Sequence, residues 1–149
     1  MDRTFRGIIA GVIGGLAMEA WDLFSYYILN FGSFRFLDWA AMMMYGELPQ
    51  NIYETMMSFT MQVIWAGFLG VIFAFIIPTI TSRGYLLKGI FYGVISFFII
   101  YAIPVLFQVP HLYKTGPNTQ FSQFIGAIIY GAATAYALRR LDTSPKLRI

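Results

Sequence analysis

Four long apolar stretches constrain the fold of this 149-residue chain more than any other feature. They cover approximately residues 7–29, 55–77, 86–107 and 120–138, and each is long enough to cross a hydrocarbon core about 30 Å thick as a helix. Hydrophobic residues make up 58% of the chain and charged residues 11%, so a soluble fold would have too little polar surface to cover its apolar residues. The sequence therefore predicts an all-α integral membrane protein with four transmembrane helices in one domain, residues 1–149.

The second half of the chain repeats a spacing that is found in the first half. The matching segments are residues 6–13 with 88–95 and residues 62–75 with 123–136. Because the first and third membrane-spanning helices run in the same direction, the pattern predicts two tandem helical hairpins related by a parallel pseudo-twofold axis. The alternative is that glycine-rich apolar helices resemble one another through shared packing needs alone. The predicted repeats cover about residues 6–77 and 86–138.

Small residues at four-residue spacing predict where the helices touch, because they let two backbones approach closely. The expected packing residues are Gly7, Gly11, Gly15, Gly70, Gly89, Gly93 and Gly131. In the predicted topology these glycines lie toward the cytoplasmic half of the bundle, whereas bulky aromatic and methionine side chains occupy the outer halves. We therefore expect a bundle that is tight toward the cytoplasm and wider toward the outside.

The first outer connection is longer than the second and is itself apolar. Asp38 is suited to cap a short helix within it and Gly46 to end that helix, so we expect an interfacial helix that lies at the outer surface or folds over the mouth of the bundle. Asn51 and Glu54 form a plausible capping pair at the start of the second span. Two prolines are expected to shape the spans: Pro78 to close the second, and Pro104 to bend or end the third.

Basic residues are distributed unequally between the two ends of the predicted bundle. Eight flank one end, namely Arg3, Arg6, Arg83, Lys88, Arg139, Arg140, Lys146 and Arg148, and two, Arg35 and Lys114, flank the other. This bias predicts that both termini are cytoplasmic. The first span lacks a small-residue cleavage pattern, so we expect it to be retained rather than removed as a signal peptide. The basic C-terminal tail is short and has no interleaved aromatic residues, which favours contact with anionic membrane lipids over binding to nucleic acid.

Two carboxyl groups interrupt the first apolar stretch. Glu19 and Asp22 lie one helical turn apart near its middle, where a charged side chain costs about 2.5–3.5 kcal/mol. We expect at least one of them to be neutral, because like charges so close together repel each other. The repeat pairs them with Tyr101 and Pro104, so the acids occur only in the first hairpin.

These acids predict a polar site in an outward-facing cavity. The candidate ligand- or ion-binding residues are Glu19, Asp22, Gln62 and Tyr101. Gln123 occupies the position in the second hairpin that matches Gln62. The alternative is that the acids and amides only hydrogen-bond neighbouring helices and bind nothing.

Several classes of chemistry find little support in the sequence. The chain has no cysteine, which excludes disulfides and thiolate metal sites. Its eight methionines include Met42, Met43 and Met44, but consecutive helical residues point in different directions and His111, the only histidine, is distant in sequence. No phosphate-binding loop, zinc motif or Ser/His/Asp constellation is present. We therefore predict no metal, no cofactor and no enzymatic activity.

The glycine-rich start of the first span, the long first outer connection, the segments 88–93 and 129–131, and Pro104 resemble the small four-helix membrane proteins of Firmicutes called YqhR. The resemblance covers most of the chain. It implies a bacterial cell-membrane protein with four helices, and it supplies no activity or site residues.

Two functional hypotheses follow. The first is that the protein binds or transports a small or lipidic ligand, a proton or a cation through the outward-facing cavity. Because four helices are few for a transporter, this hypothesis implies a homodimer. The second is that it is a non-transporting assembly or accessory protein, whose glycines and acids bind other transmembrane helices. The first hypothesis predicts a hydrated or ligand-filled cavity at Glu19, and the second predicts a dry contact there.

Overall fold

The computed structural model of the chain describes residues 1–76 and 84–142. Within this part the helices are α1 (Arg3–Tyr27), α2 (Phe36–Tyr45), α3 (Ile52–Ile76), α4 (Tyr85–Leu106) and α5 (Pro117–Leu141), and no strand occurs. The four helices other than α2 are long and apolar enough to cross a membrane. The predicted all-helical fold with four apolar spans is therefore confirmed.

Some predicted features lie outside the described residues. They are the end of the second span at residue 77, the helix end at Pro78, and the basic residues Arg83, Lys146 and Arg148.

Helix α1 is central to the bundle, since it packs against both α3 and α5, and α5 packs in turn against α4. At one end, Arg6 Nη1 lies 2.8 Å from Asp142 Oδ1, which places the start of α1 beside the end of α5. Helices α3 and α4 touch far less. Contacts between them include a hydrogen bond of 2.6 Å from the Tyr92 hydroxyl to the Leu69 carbonyl, and stacking of the Tyr92 and Phe73 rings.

Each of the seven glycines expected at helix contacts lies against a neighbouring helix. A Cβ atom on Gly7 would lie 2.7 Å from Val71 Cα, and one on Gly70 would lie 2.5 Å from Gly11 Cα. Real Cβ atoms do not approach a backbone so closely, so only glycine permits this separation of α1 and α3.

The α1–α3 contact has a counterpart between α4 and α5. Gly7 faces the Gly70 carbonyl and Ala74 Cβ. Gly89, 82 positions after Gly7, makes the same contact with Gly131 and Ala135, which lie 61 positions after Gly70 and Ala74. It faces the Gly131 carbonyl and the Cβ atom of Ala135. Both helix pairs are antiparallel.

Helix α2 packs into the bundle more deeply than an interfacial helix is expected to. Six of its ten residues are buried, namely Phe36, Leu37, Asp38, Trp39, Ala41 and Met42. It packs against α3, and its Trp39 ring lies 4.7 Å from the Tyr101 ring of α4. Helix α2 therefore packs against the bundle in the half opposite Arg6.

The predicted helix ends agree with the structure in part. Gly46 ends α2 with a φ of 74°, and Asn51 Oδ1 accepts a hydrogen bond of 2.9 Å from the Glu54 N–H. The residue that caps α2 is Arg35 rather than Asp38, which instead lies in the first turn and accepts the Arg35 N–H at 2.8 Å. Helix α4 continues past Pro104 to Leu106.

Candidate functional site

The two predicted acids lie on the inner face of α1, and each is only 2% exposed. They are one turn apart on the helix, close to the start of α2. The nearby charged side chains that act electrostatically on Glu19 are Asp22, Arg35 and Asp38.

Asp22 is held by the first residue of α2. Its Oδ2 atom accepts a hydrogen bond of 2.7 Å from the Phe36 N–H. The first N–H groups of a helix have no partner within that helix, and the helix dipole favours a negative charge beside them. Asp22 therefore fixes the start of α2 on α1, and α2 in turn stabilises the ionised form of Asp22.

Glu19 has no comparable partner. Neither oxygen of its carboxyl group accepts or donates a hydrogen bond within residues 1–76 and 84–142, although both are buried. An ionised carboxylate in such surroundings is strongly unfavourable, because burial removes it from bulk water and no described residue donates a hydrogen bond to it. The two acids that the sequence groups together thus have different environments.

Arg35 and Asp38 form an ion pair near the acids, in which Asp38 is buried and Arg35 is partly buried. Arg35 Nη2 lies 2.8 Å from Asp38 Oδ1 and Nε lies 3.1 Å from Oδ2, while Nη1 donates to the Tyr27 hydroxyl at 2.7 Å. Burial by itself lowers the pKa of Arg35, but the hydrogen bonds and charge of Asp38, together with Tyr27, raise it above its usual range. The guanidinium therefore stays charged, and Asp38 is its direct counterion.

Tyr101 and Gln123 belong to a separate polar group between α4 and α5. The Tyr101 hydroxyl donates to Gln123 Oε1, and Gln123 Nε2 donates to the Phe34 carbonyl at 3.3 Å. The amide of Gln123 thus ties α4 and α5 to the segment before α2.

Three hydroxyl groups that the sequence pattern does not single out join α5 to α1 and to the segment that follows α1. Ser25 and Ser122 are hydrogen-bonded through their hydroxyls at 2.6 Å, and Thr119 Oγ1 accepts the Ser33 N–H at 2.8 Å. A single serine or threonine in an apolar helix does not reveal its partner. Only the packing of α1 against α5 brings these side chains together.

A cleft of about 360 Å³ lies between α3 and α4, beneath α2. Its wall is predominantly apolar, with aromatic and methionine side chains from α2, α3 and α4. Of the four predicted site residues, Gln62 lines the cleft, whereas Glu19, Asp22 and Tyr101 lie outside its wall. Gln62 is therefore the predicted site residue that contributes to the cleft wall.

No group of three or more His, Cys, Asp or Glu side chains that could hold a metal ion occurs in the described part of the chain. His111 lies exposed in the connection between α4 and α5, with a φ of 66°.

Comparisons with protein-family models, with curated proteins and with solved structures found no match to this chain. The resemblance to YqhR proteins therefore stays a prediction.

Proposed function

We propose that this protein binds the acyl chain of a lipidic ligand in the cleft between α3 and α4, within a bacterial cell membrane. The observation that carries the proposal is the cleft itself, which has about 360 Å³ of space and a wall that is almost entirely apolar. Met61 and Trp65 line it and are also 38% and 46% exposed, so the cleft opens on the membrane-facing surface of the bundle. An acyl chain in the surrounding bilayer reaches such an opening directly.

The size and lining of the cleft suit an acyl chain. Ligand sites in proteins typically enclose about 300–1,000 Å³, and the cleft has about 360 Å³. Methionine side chains such as Met43 and Met44 adapt to an irregular chain, and the Gln62 amide is suited to hydrogen-bond an ester or carboxyl group.

The proposed repeat also accounts for the position of the cleft between α3 and α4. Under a pseudo-twofold axis that relates the two hairpins, the α1–α5 pair corresponds to the α4–α3 pair. Helices α1 and α5 pack closely, whereas α3 and α4 do not. The matching contacts of Gly7 and Gly89 support the repeat, and the cleft lies where its second long contact is missing.

The alternative function is that the glycine ridges and the buried acids bind other transmembrane helices. The burial of Glu19 outside the cleft is consistent with this alternative, but the placement of the glycines is not. The seven glycines that would form such a surface contact helices of the same chain. They are therefore not available to a partner without opening the bundle.

A pair of matched substitutions tests the proposal. Ala40 on α2 lines the cleft, whereas Ala20 on α1 is exposed and does not. We expect the protein purified in mild detergent to retain about one acyl-chain lipid per chain in native mass spectrometry. Ala40→Phe is expected to reduce this retention at least tenfold, because the phenyl ring fills the cleft, and Ala20→Phe is expected to leave it unchanged.

The mass of the retained species distinguishes a phospholipid from a free fatty acid. Equal retention in the two variants, or none in the unmodified protein, contradicts the proposal. Circular dichroism and size-exclusion profiles of both variants establish that any loss does not come from misfolding.

A further inference from the structure

The structure distinguishes the two carboxyl groups on α1 by their hydrogen bonds. Asp22 accepts the Phe36 N–H at 2.7 Å, while both oxygens of Glu19, which is 2% exposed, have no partner in the described part of the chain. We propose that the two acids form a proton-binding site inside the bundle. Glu19 carries the proton, and Asp22 remains the ionised carboxylate that holds the start of α2.

The balance of charge around Glu19 supports this assignment. The charged groups that act on it are Asp22 on α1, Arg35 before α2 and Asp38 within α2. Arg35 is already committed to Asp38 through two hydrogen bonds. If all three acids were ionised, they would carry three negative charges against one positive charge, and a proton on Glu19 removes one of them.

The same geometry determines which acid is protonated. Ionised Asp22 accepts an N–H at the start of α2, so protonation there would weaken a charge-assisted hydrogen bond. Protonation of Glu19 costs no hydrogen bond that the described residues provide. The proton therefore belongs to Glu19.

A metal cation fits these residues less well than a proton. Cations such as Ca²⁺ and Mg²⁺ need about six oxygen ligands. The described residues hold no group of three metal-binding side chains, and two of the three nearby carboxylates already have donors. A proton needs only the one carboxyl group that lacks a partner.

Infrared spectroscopy of the full chain in lipid nanodiscs tests the proposal. At neutral pH we expect the carbonyl band of a protonated carboxylic acid, distinct from the bands of ionised carboxylates. Uniform labelling with ¹³C-glutamate should shift this band, and labelling with ¹³C-aspartate should not. The chain contains two other glutamates. Glu47 is exposed, and the Glu54 carboxylate accepts hydrogen bonds from the Gln50 N–H and the Asn51 side-chain amide.

Substitution then assigns the band to one residue. Glu19→Gln should abolish it, whereas the control Glu47→Gln should leave it unchanged. The isotope experiment needs no substitution, so the test stands even if Glu19→Gln does not fold.

Absence of the band in the unmodified protein at neutral pH overturns the proposal, as does a band that follows the aspartate label or survives Glu19→Gln. A band that appears only when sodium and potassium ions are removed indicates a bound metal cation and also overturns it. None of these outcomes depends on lipid in the cleft, so the proton site and the proposed function fail separately.

Discussion

Neighbouring glycines of α3 differ in what surrounds them. A Cβ atom on Gly70 would lie 2.5 Å from Gly11 Cα and 2.6 Å from Gly11 N, which are backbone atoms that cannot move alone. A Cβ atom on Gly67 would lie 3.4 Å from a methyl carbon of Val12, which is an ordinary contact. The two positions are less than one turn apart, yet only one requires glycine.

This difference predicts opposite outcomes for the same substitution. Gly70→Ala should lower the free energy of unfolding by about 1–3 kcal/mol, because α1 and α3 must separate to admit the methyl group. Gly67→Ala should be neutral or stabilising by up to about 1 kcal/mol, since alanine favours a helix over glycine. Denaturant unfolding of both variants in the same detergent measures the difference. Equal stabilities would show that the tight α1–α3 contact is not maintained in solution.

The sequence predicts which glycines pack against other helices, but it does not predict which polar side chains meet. Four-residue spacing of small residues indicated Gly7, Gly11 and Gly70 as packing positions because periodicity is a property of one helix. The bond between Ser25 and Ser122 depends on the relative rotation of two helices, which the sequence does not specify.

Helix α2 is held by polar groups at its start and by apolar packing along its length. Its first N–H group binds Asp22, and Asp38 in its first turn pairs with Arg35. Further along, Trp39 packs against Tyr101. The sequence predicts a short apolar helix in this connection, but α2 is apolar on most sides and could equally have lain at the membrane surface. The contacts with α1 and α4 that bury it come from residues distant in sequence.

If Asp22 holds the start of α2, removing its acceptor should loosen this helix. We expect Asp22→Ala to increase hydrogen exchange in residues 36–45 at least tenfold, because a hydrogen bond to a charged group contributes about 1.5–3 kcal/mol. Asp22→Asn should retain most of the protection, since its amide oxygen still accepts the Phe36 N–H. Exchange is measured by mass spectrometry at a single pH.

The control region is the contact between α4 and α5, whose exchange should be the same in all three proteins. Unchanged exchange of α2 in Asp22→Ala would mean that apolar packing alone holds this helix. Increased exchange throughout the chain would indicate general destabilisation instead of a local anchor.

Across the whole molecule, the sequence predicts the spans well and their arrangement poorly. The observed helix starts at Arg3, Ile52, Tyr85 and Pro117 lie within about four residues of the predicted ones, because hydropathy and chain length set where a helix enters a membrane. The sequence does not locate the cleft, because the cleft exists where α3 and α4 fail to pack closely. A missing contact leaves no pattern in either helix.

The distribution of charge predicts the orientation of the whole molecule. The Arg6–Asp142 ion pair places the start of α1 and the end of α5 together at one end of the bundle. Most basic residues belong to that end, and positively charged segments remain on the cytoplasmic side of bacterial membranes. The cleft and α2 then lie toward the outer face, where acyl chains of the outer leaflet reach them.

Because the chain has no cysteine, single cysteines introduced at Asp2 and Lys114 report the orientation directly. We expect a membrane-impermeant maleimide added to intact cells to label Lys114→Cys and to leave Asp2→Cys unmodified until the membrane is permeabilised. Lys114 lies in the connection between α4 and α5, whereas Asp2 caps the start of α1 at the opposite end of the bundle. Labelling of both in intact cells would contradict the four-span arrangement, and labelling of Asp2→Cys alone would place the cleft in the cytoplasmic half.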